Sequence, residues 1–354
     1  MNKLFTLFLL IFVIHYTSFS QNDSLVLNNG DFIVGDLKSM FKGVLTIEPS
    51  YSDSDFKIKW KDVKELKATQ RYFIALSDGL RTNGTLKSSG IGKLIIHKGE
   101  GDYLTVNQSD VVYIKSIDSG FLSRLSANID FGFTLTKANN QQQLNGNLRM
   151  GYLADKWTTR LFYNTLLTKQ DDASDIRRND AGIEFLYILP EDWVLGASVN
   201  LLSNTEQSLD LRLTSKMGIG NYLKYSNTMY WNVLAGFAYN TESFLPILNP
   251  EQGITTTTPN RKSFEGFLKT ELNIYDLGDL ELFTNIILYP TIFSDTNVKS
   301  GRTRVDFRFD VKYDDLFIED FYIRAGYNLN YDNRPAEAGK ALDYIFTTGF
   351  GWEW

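Results

Sequence analysis

Nucleophilic catalysis needs a base beside the nucleophile, and histidine, the usual base, occurs here only as His15 and His97. His15 lies in an N-terminal apolar stretch. His97 follows Leu94, Ile95 and Ile96 on a short apolar run, where a structural strand histidine is expected. Residues 119–354 contain no histidine, which excludes the serine–histidine and histidine-dependent protease chemistries from that region. The chain has no cysteine, so zinc or copper would lack its preferred ligands. No catalytic residue, metal or cofactor is expected, and the protein is read as a non-enzyme. Asp171, Asp172 and Asp175 cluster beside Arg177 and Arg178, a grouping that could hold calcium or bridge to phosphates. It lacks calcium-loop spacing, so a solvated loop is expected. The densest charge array is Arg302, Arg304, Asp306, Arg308, Asp310 and Lys312. Its cations could attract anions in a pore. Neutralisation by Asp306, Asp310 and acids of neighbouring strands, such as Asp320 near Arg324, is the expected state, because unpaired buried charge is costly.

The spacing of that array shows which element holds it. Its charges alternate with Val305, Phe307, Phe309, Val311 and Tyr313, and successive strand side chains point to opposite faces. The same alternation runs from about Ser119 to the C-terminus. Leu125, Ala127, Ile129, Phe131, Phe133 and Leu135 interleave with polar residues, as do Leu209, Leu211, Leu213, Met217 and Ile219. About twelve such strands are expected, beginning near residues 125, 142, 157, 180, 193, 208, 228, 263, 279, 302, 318 and 341. Residues 119–354 are therefore read as a transmembrane antiparallel β-barrel, with apolar side chains toward lipid and the charge array in a wet interior. The net charge of −6 and mean hydropathy of −0.22 are compatible with this, since inward polar residues dilute the average. Mild acidity argues against a nucleic-acid partner. No run beyond the N-terminus could form a spanning helix. Aromatic residues make up 14% of the chain, which suits girdles at a lipid boundary, with Trp157, Trp193 and Trp354 at strand ends. The even-numbered connections (ADK, PED, NYLKYS, DLG, DDLF) are short, whereas KQDDASDIRR, the stretch 242–261, SDTNVKS and NRPAEAGK are longer, which orients the barrel. Phe162, Leu166, Leu186, Tyr230, Leu234, Phe267, Phe283, Ile287 and Tyr322 fall on the inward phase and imply a constricted interior.

The first 118 residues follow other rules. Lys3, the apolar run Leu4–Ile14, and Ser18 and Ser20 before Gln21 predict a secretory signal peptide over residues 1–20. Residues 21–118 then repeat with an offset of 49. Gly30, Gly35, Leu37–Ser39 and Gly43 map onto Gly79, Gly84, Leu86–Ser88 and Gly92. Turn signals separate short alternating runs, which predicts two small SH3-like or Sm-like β modules side by side over 22–69 and 70–118.

The stretch 209–244, with Arg212, Gly218-x-Gly220-x-Tyr222, Gly236, Tyr239 and Glu242, resembles the family catalogued as domain of unknown function 481. Its members are described as YdiY-like, salt-induced outer-membrane proteins, and residues 178–202 fit as well. The resemblance covers about residues 120–354 and implies an outer-membrane barrel without a known activity. The terminal GFGWEW, with Phe350, Trp352 and Trp354, is similar to the aromatic signal read by the barrel assembly machinery. The expected protein is a porin-like narrow pore or structural protein of the cell outer membrane, with its N-terminal modules in the periplasm. The alternative is a barrel-anchored binding or adhesion protein. Expected partners are outer-membrane lipid, lipopolysaccharide, the assembly machinery and a periplasmic protein or peptidoglycan.

Overall fold

The structure is a computed structural model. It describes residues 23–354 except 53, 100, 118–123, 138–139, 155, 172–173, 250–253, 257, 296–300, 315–320, 336–340 and 353–354. The expected signal peptide, Asp172, Asp320 and Trp354 lie outside the described residues, as does the side chain of Trp352. The fold is all-β.

The N-terminal sheet has nine strands in two halves of like order. The first holds β1 (Asp23–Leu27), β2 (Phe32–Phe41), β3 (Val44–Glu48), β4 (Phe56–Lys59), a 3-10 turn (Trp60–Asp62) and the start of β5 (Val63–Leu76). The second holds the end of β5, β6 (Arg81–Gly90), β7 (Lys93–Gly99), β8 (Asp102–Asn107), a 3-10 turn (Gln108–Asp110) and β9 (Val111–Ser116). Asn-Gly and Asp-Gly turns open both halves, with φ of 92° at Gly30 and 81° at Gly79, values that glycine adopts at no steric cost.

These halves interlock rather than lie side by side. Strand β9 of the second half pairs with β2 of the first, Met40 opposite Ile114, and also with β5. The start of β5 pairs with β1 and with β6 of the second half. Strands β1, β2, β9 and β5 thus close a small ring. One core runs through both halves, from Leu25, Leu37 and Leu45 to Leu86, Leu94 and Ile96. The physical reason is size: a unit of fewer than about 50 residues buries too little apolar surface alone.

The second sheet has twelve antiparallel strands in sequence order. They are β10 (Leu125–Thr136), β11 (Gln141–Leu153), β12 (Trp157–Lys169), β13 (Ile176–Ile188), β14 (Trp193–Asn204), β15 (Leu209–Tyr225) and β16 (Met229–Phe244). After the hairpin β17 (Ile247–Asn249)–β18 (Ile254–Thr256) come β19 (Arg261–Leu277), β20 (Leu280–Ser294), β21 (Thr303–Tyr313), β22 (Phe321–Asp332) and β23 (Leu342–Trp352). Among the described residues no pair joins β10 to β23. The strand starts fall close to the expected positions. Strands β15, β16 and β19 run to 17, 16 and 17 residues, longer than the other strands of this sheet. The run NYLKYS stays mostly within β15, and the turn narrows to Ser226–Thr228. The contrast in loop length is uneven, since the connections 137–140 and 205–208 are as short as those opposite, while 314–320, expected to be short, is nearly as long as 295–302.

Period-2 alternation gives the sheet two unlike faces. The convex face is apolar and exposed: Phe131 is 81% exposed, Met217 71% and Phe350 80%. The concave face is polar, and a single cavity is lined by residues of seven strands, β12 to β16, β19 and β20. A sheet that brings β12 and β20 around one space must be strongly curled.

Candidate functional site

The concave face carries a buried ion cluster toward the end of the long connections. Arg302, just before β21, is 1% exposed. It donates from Nη1 and Nη2 to Glu242 at 2.9 and 3.0 Å and from Nη2 to Asp332 at 2.6 Å. Glu242 also accepts from Arg212 Nε at 2.7 Å across the β15–β16 rung. Arg304 pairs with Glu265 at 2.6 Å and lies 4.7 Å from the Tyr289 ring. Ser263 donates to Glu265 at 2.8 Å. Arg302 meets Glu242 with both terminal nitrogens, the bidentate arrangement that best offsets desolvation, whereas Arg304 makes one such contact and its buried Nε has no hydrogen-bond partner among the described residues.

Toward the other end the array is wetter. Arg308 pairs with Asp310 at 2.6 Å, and Asp310 with Arg324 at 3.5 Å. Lys312 meets Asp314 at 2.9 Å, and Asp306 accepts from Asn330 at 2.8 Å. The cations are neutralised, as charge bookkeeping expects, but mostly by other acids. Among the described residues Asp310, and not Asp306, forms an ion pair here. Glu242, Glu265, Asp332 and Asp314 supply the rest, because inward rows from β16, β19 and β22 converge with β21 once the sheet curls. In the sequence Glu242 stands out through the family resemblance, and the signal for its inward face is that it shares the phase of Asn240 and Ala238 on β16.

Below the cluster lies a cavity of about 120 Å³, whose wall includes Arg160, Glu184, Lys216, Tyr222, Lys269 and Glu271. Arg160 pairs with Glu184 at 3.0 Å and Lys269 with Glu271 at 2.8 Å. Glu271 further accepts from Tyr230 and Asn285 at 2.7 and 2.9 Å. Gly218 and Gly236 face each other on β15 and β16, and a Cβ on either would meet the Phe267 ring within 2.8 Å. Their absent side chains let Phe267 lie against the wall. The large inward residues anticipated from phase stand where expected: Leu186, Leu234, Phe267 and Ile287 line this cavity.

The N-terminal domain docks on the short-turn end of the twelve-strand sheet. Phe73, Ala75, Val112 and Ile117 form an apolar cluster with Tyr113, against which Leu153 and Tyr225 of the sheet pack. Asn227, in the β15–β16 turn, donates to the carbonyls of Ser109 and Val111 at 3.2 and 2.9 Å. Lys61 reaches Asp276 at 3.6 Å, and Lys42 lies 5.4 Å from the Tyr275 ring. Gly43 and Gly79 touch the turns so closely that a Cβ would sit 2.7 Å from Asn227 O and 2.5 Å from Asp192 Oδ1. At the joint Arg81 lies 5.8 Å from the Phe73 ring, and its Nη1 is buried without a hydrogen-bond partner among the described residues. Burial pushes the Arg81 guanidinium below its ordinary range, against the pull of nearby Tyr225 and Tyr222. Burial, with Asp78 close by, raises the Asp192 carboxyl to about 6, while Arg81 acts the other way. Neither Arg81 nor Asn227 carried a sequence signal, because both act across a joint between segments more than a hundred residues apart.

Other anticipated residues stand apart. Asp171 accepts from Asn140 at 2.6 Å and Asp175 pairs with Arg177 at 3.0 Å. No metal-holding group of three or more His, Asp or Glu residues occurs among the described residues. His97 is exposed and lies opposite Thr85 and Tyr103. Phe350 projects from the convex face of β23 beside Phe321, ring centroids 6.1 Å apart. The model of a family described as a protein of unknown function, DUF481, matches residues 129–354, and no curated protein matches the chain.

Proposed function

This chain belongs to the DUF481 family, and on that premise we propose that it is a bacterial outer-membrane β-barrel shut to bulk flow. Its barrel holds a periplasmic β domain in fixed position at the membrane. Three features support the membrane reading. The convex face exposes Phe131, Phe133, Met217, Phe237, Phe346 and Phe350 together, far beyond the patch a water-soluble surface tolerates. Strands of 11 to 17 residues exceed the ~10 needed to span a bilayer. Polar side chains alternate inward on every strand, as an aqueous interior requires.

The observation that carries the shut state is the docking of the N-terminal domain across the short-turn mouth, through Asn227, Tyr225 and Leu153. At the far end Arg302, Glu242 and Asp332 tie β16, β21 and β22 together across the interior. A water-filled channel would leave such groups hydrated and separate. Planar-bilayer recording of the purified full chain tests this: silence is expected, and steady single-channel steps would overturn the shut barrel in favour of a narrow pore. Membrane fractionation with extraction by detergent alone tests the location.

A further inference from the structure

We propose that a groove in the convex face of the twelve-strand sheet holds an acyl chain of a phosphate-headed lipid, the lipid A part of lipopolysaccharide, with Lys262 at the level of its head. This site presupposes the outer-membrane location proposed for the chain.

The groove has a volume of about 470 Å³ and crosses β13 to β16 and β19. Period-2 alternation makes its floor shallow. Ala197 and Ser215 point outward there, and between their rows the sheet offers backbone, because Ser198, Lys216 and Ala238 turn inward. Larger side chains stand around this floor: Phe185, Val199, Met217 and Phe237 are all exposed. The ring of Phe264 stacks on Phe237 at 5.4 Å and extends that wall. Of the outward side chains lining the groove, only Ser215 and Tyr239 carry a polar atom. Such a recess suits hydrocarbon and gives a polar ligand little to bond. Left empty in a bilayer, it forfeits dispersion contacts along its floor.

Depth along the strands fixes which part of a lipid lies there. Trp231 and Tyr239 share the outward face of β16 eight residues apart, roughly 26 Å along the strand and roughly 20 Å along the membrane normal at the usual tilt. They mark the two aromatic borders of an apolar band, and past Tyr239 the same face carries Thr241 and Ser243. The groove reaches Tyr239, so it lies in the half of the band away from the N-terminal domain, which is the outward leaflet. Two residues past Phe264, Lys262 stands opposite Thr241, exposed and without an ion pair among the described residues. Asp295 accepts from its backbone nitrogen at 3.0 Å. Arg177, at the same end of β13, is already paired with Asp175. Lys262 is four residues from Gly266, which faces Phe237. That is roughly 13 Å along the strand, within the ~15 Å depth of one leaflet.

A lipid chain suits this space better than a second copy of the barrel. Apolar burial drives nothing by itself in hydrocarbon, so shape and charge choose the occupant. The two small floor residues lie on neighbouring strands, about 4.8 Å apart, and a slot of that width takes one flexible chain. A second barrel would bring its own projecting side chains to it. Copies related by a twofold axis would also set Lys262 of each against the same rim, like charge to like. A phosphate head meets that cation with opposite charge.

Native mass spectrometry of the full chain released from detergent micelles tests this, with lipid A, dioleoylphosphatidylglycerol and dioleoylphosphatidylcholine offered at equal concentration. Retention of one lipid A is expected ahead of both phospholipids. Ala197→Phe and Ser215→Phe fill the floor and should each cut retained lipid A about tenfold. Lys262→Gln should cut it about fivefold, the weight of one interfacial lysine, and tests the head even where a floor variant folds poorly. Ala325→Phe adds the same ring to the convex face of β22, away from the groove, and should change nothing. A folded chain, shown by its heat-modifiable band, that retains no lipid overturns the site and leaves the membrane reading standing. A chain that stays in solution without detergent removes both. Unchanged retention in the floor variants also overturns the site. Phosphatidylglycerol held as tightly as lipid A would overturn the lipid A assignment, and a retained second copy lost with Ala197→Phe would give the groove to a dimer.

Discussion

Glu242 shows how far one side chain can be committed. Its two oxygens accept from Arg212 and from both terminal nitrogens of Arg302, and neither Glu242 nor Arg302 reaches solvent. Taking any one of these charges away leaves the others buried and uncompensated. Glu242→Gln is expected to destabilise the folded barrel by about 3–5 kcal/mol, the range seen when one member of a buried pair is removed. Urea unfolding in lipid vesicles measures this, and a loss within experimental error would show that water already solvates the cluster. Replacing Glu242 and Arg302 together by apolar residues should cost less than the sum of the single changes, because the orphaned charge is what dominates.

Among the elements, β15 and β16 make the longest ladder of the sheet, and their register depends on glycine. Gly236 stands opposite Gly218, and a Cβ there would lie 2.1 Å from Met217 O and 2.5 Å from Gly218 Cα. Both obstacles are backbone and cannot swing aside. Gly236→Val therefore forces the two strands apart or displaces Phe267, at a cost of about 1–3 kcal/mol or more. The expected readout is loss of the heat-modifiable folded band on electrophoresis; a fully folded band would show that the ladder yields. This explains why the glycines that carried the family resemblance matter physically: they permit close approach and the seating of Phe267.

At the scale of the whole molecule, the two large sheets of the described residues meet at one end of the twelve-strand sheet, and that joint has a pH dependence of fixed sign. Asp192 is raised to about 6 by burial and by Asp78, against Arg81. The backbone of Gly79 also faces this carboxyl. A carboxyl with a higher value when docked binds its proton more tightly in that state. Its contribution to docking is thus full below its free value of about 4 and is lost as pH rises through about 6. The chain has no cysteine, so spin labels at Lys98→Cys and Lys156→Cys report the joint cleanly. The distance distribution between them is expected to broaden from about pH 5 to about pH 7.5, and Asp192→Asn should remove the change. Broadening in the acidic direction would show that the Arg81 attraction outweighs burial.

Alternation by itself determined the all-β class, the twelve strands, their starting points and which face each residue takes, because a strand's period of two is a local property that survives any packing. The glycine-marked repeat in residues 21–118 likewise predicts two like units. Tertiary structure alone decided what those faces meet. The interlocking of the halves, the pairing of Arg302 with Glu242 and Arg304 with Glu265, and the packing of Tyr225 and Leu153 against the Phe73 cluster all join residues remote in the chain. Such contacts depend on how strongly a sheet curls and where a second domain comes to rest, and neither leaves a periodic trace in sequence.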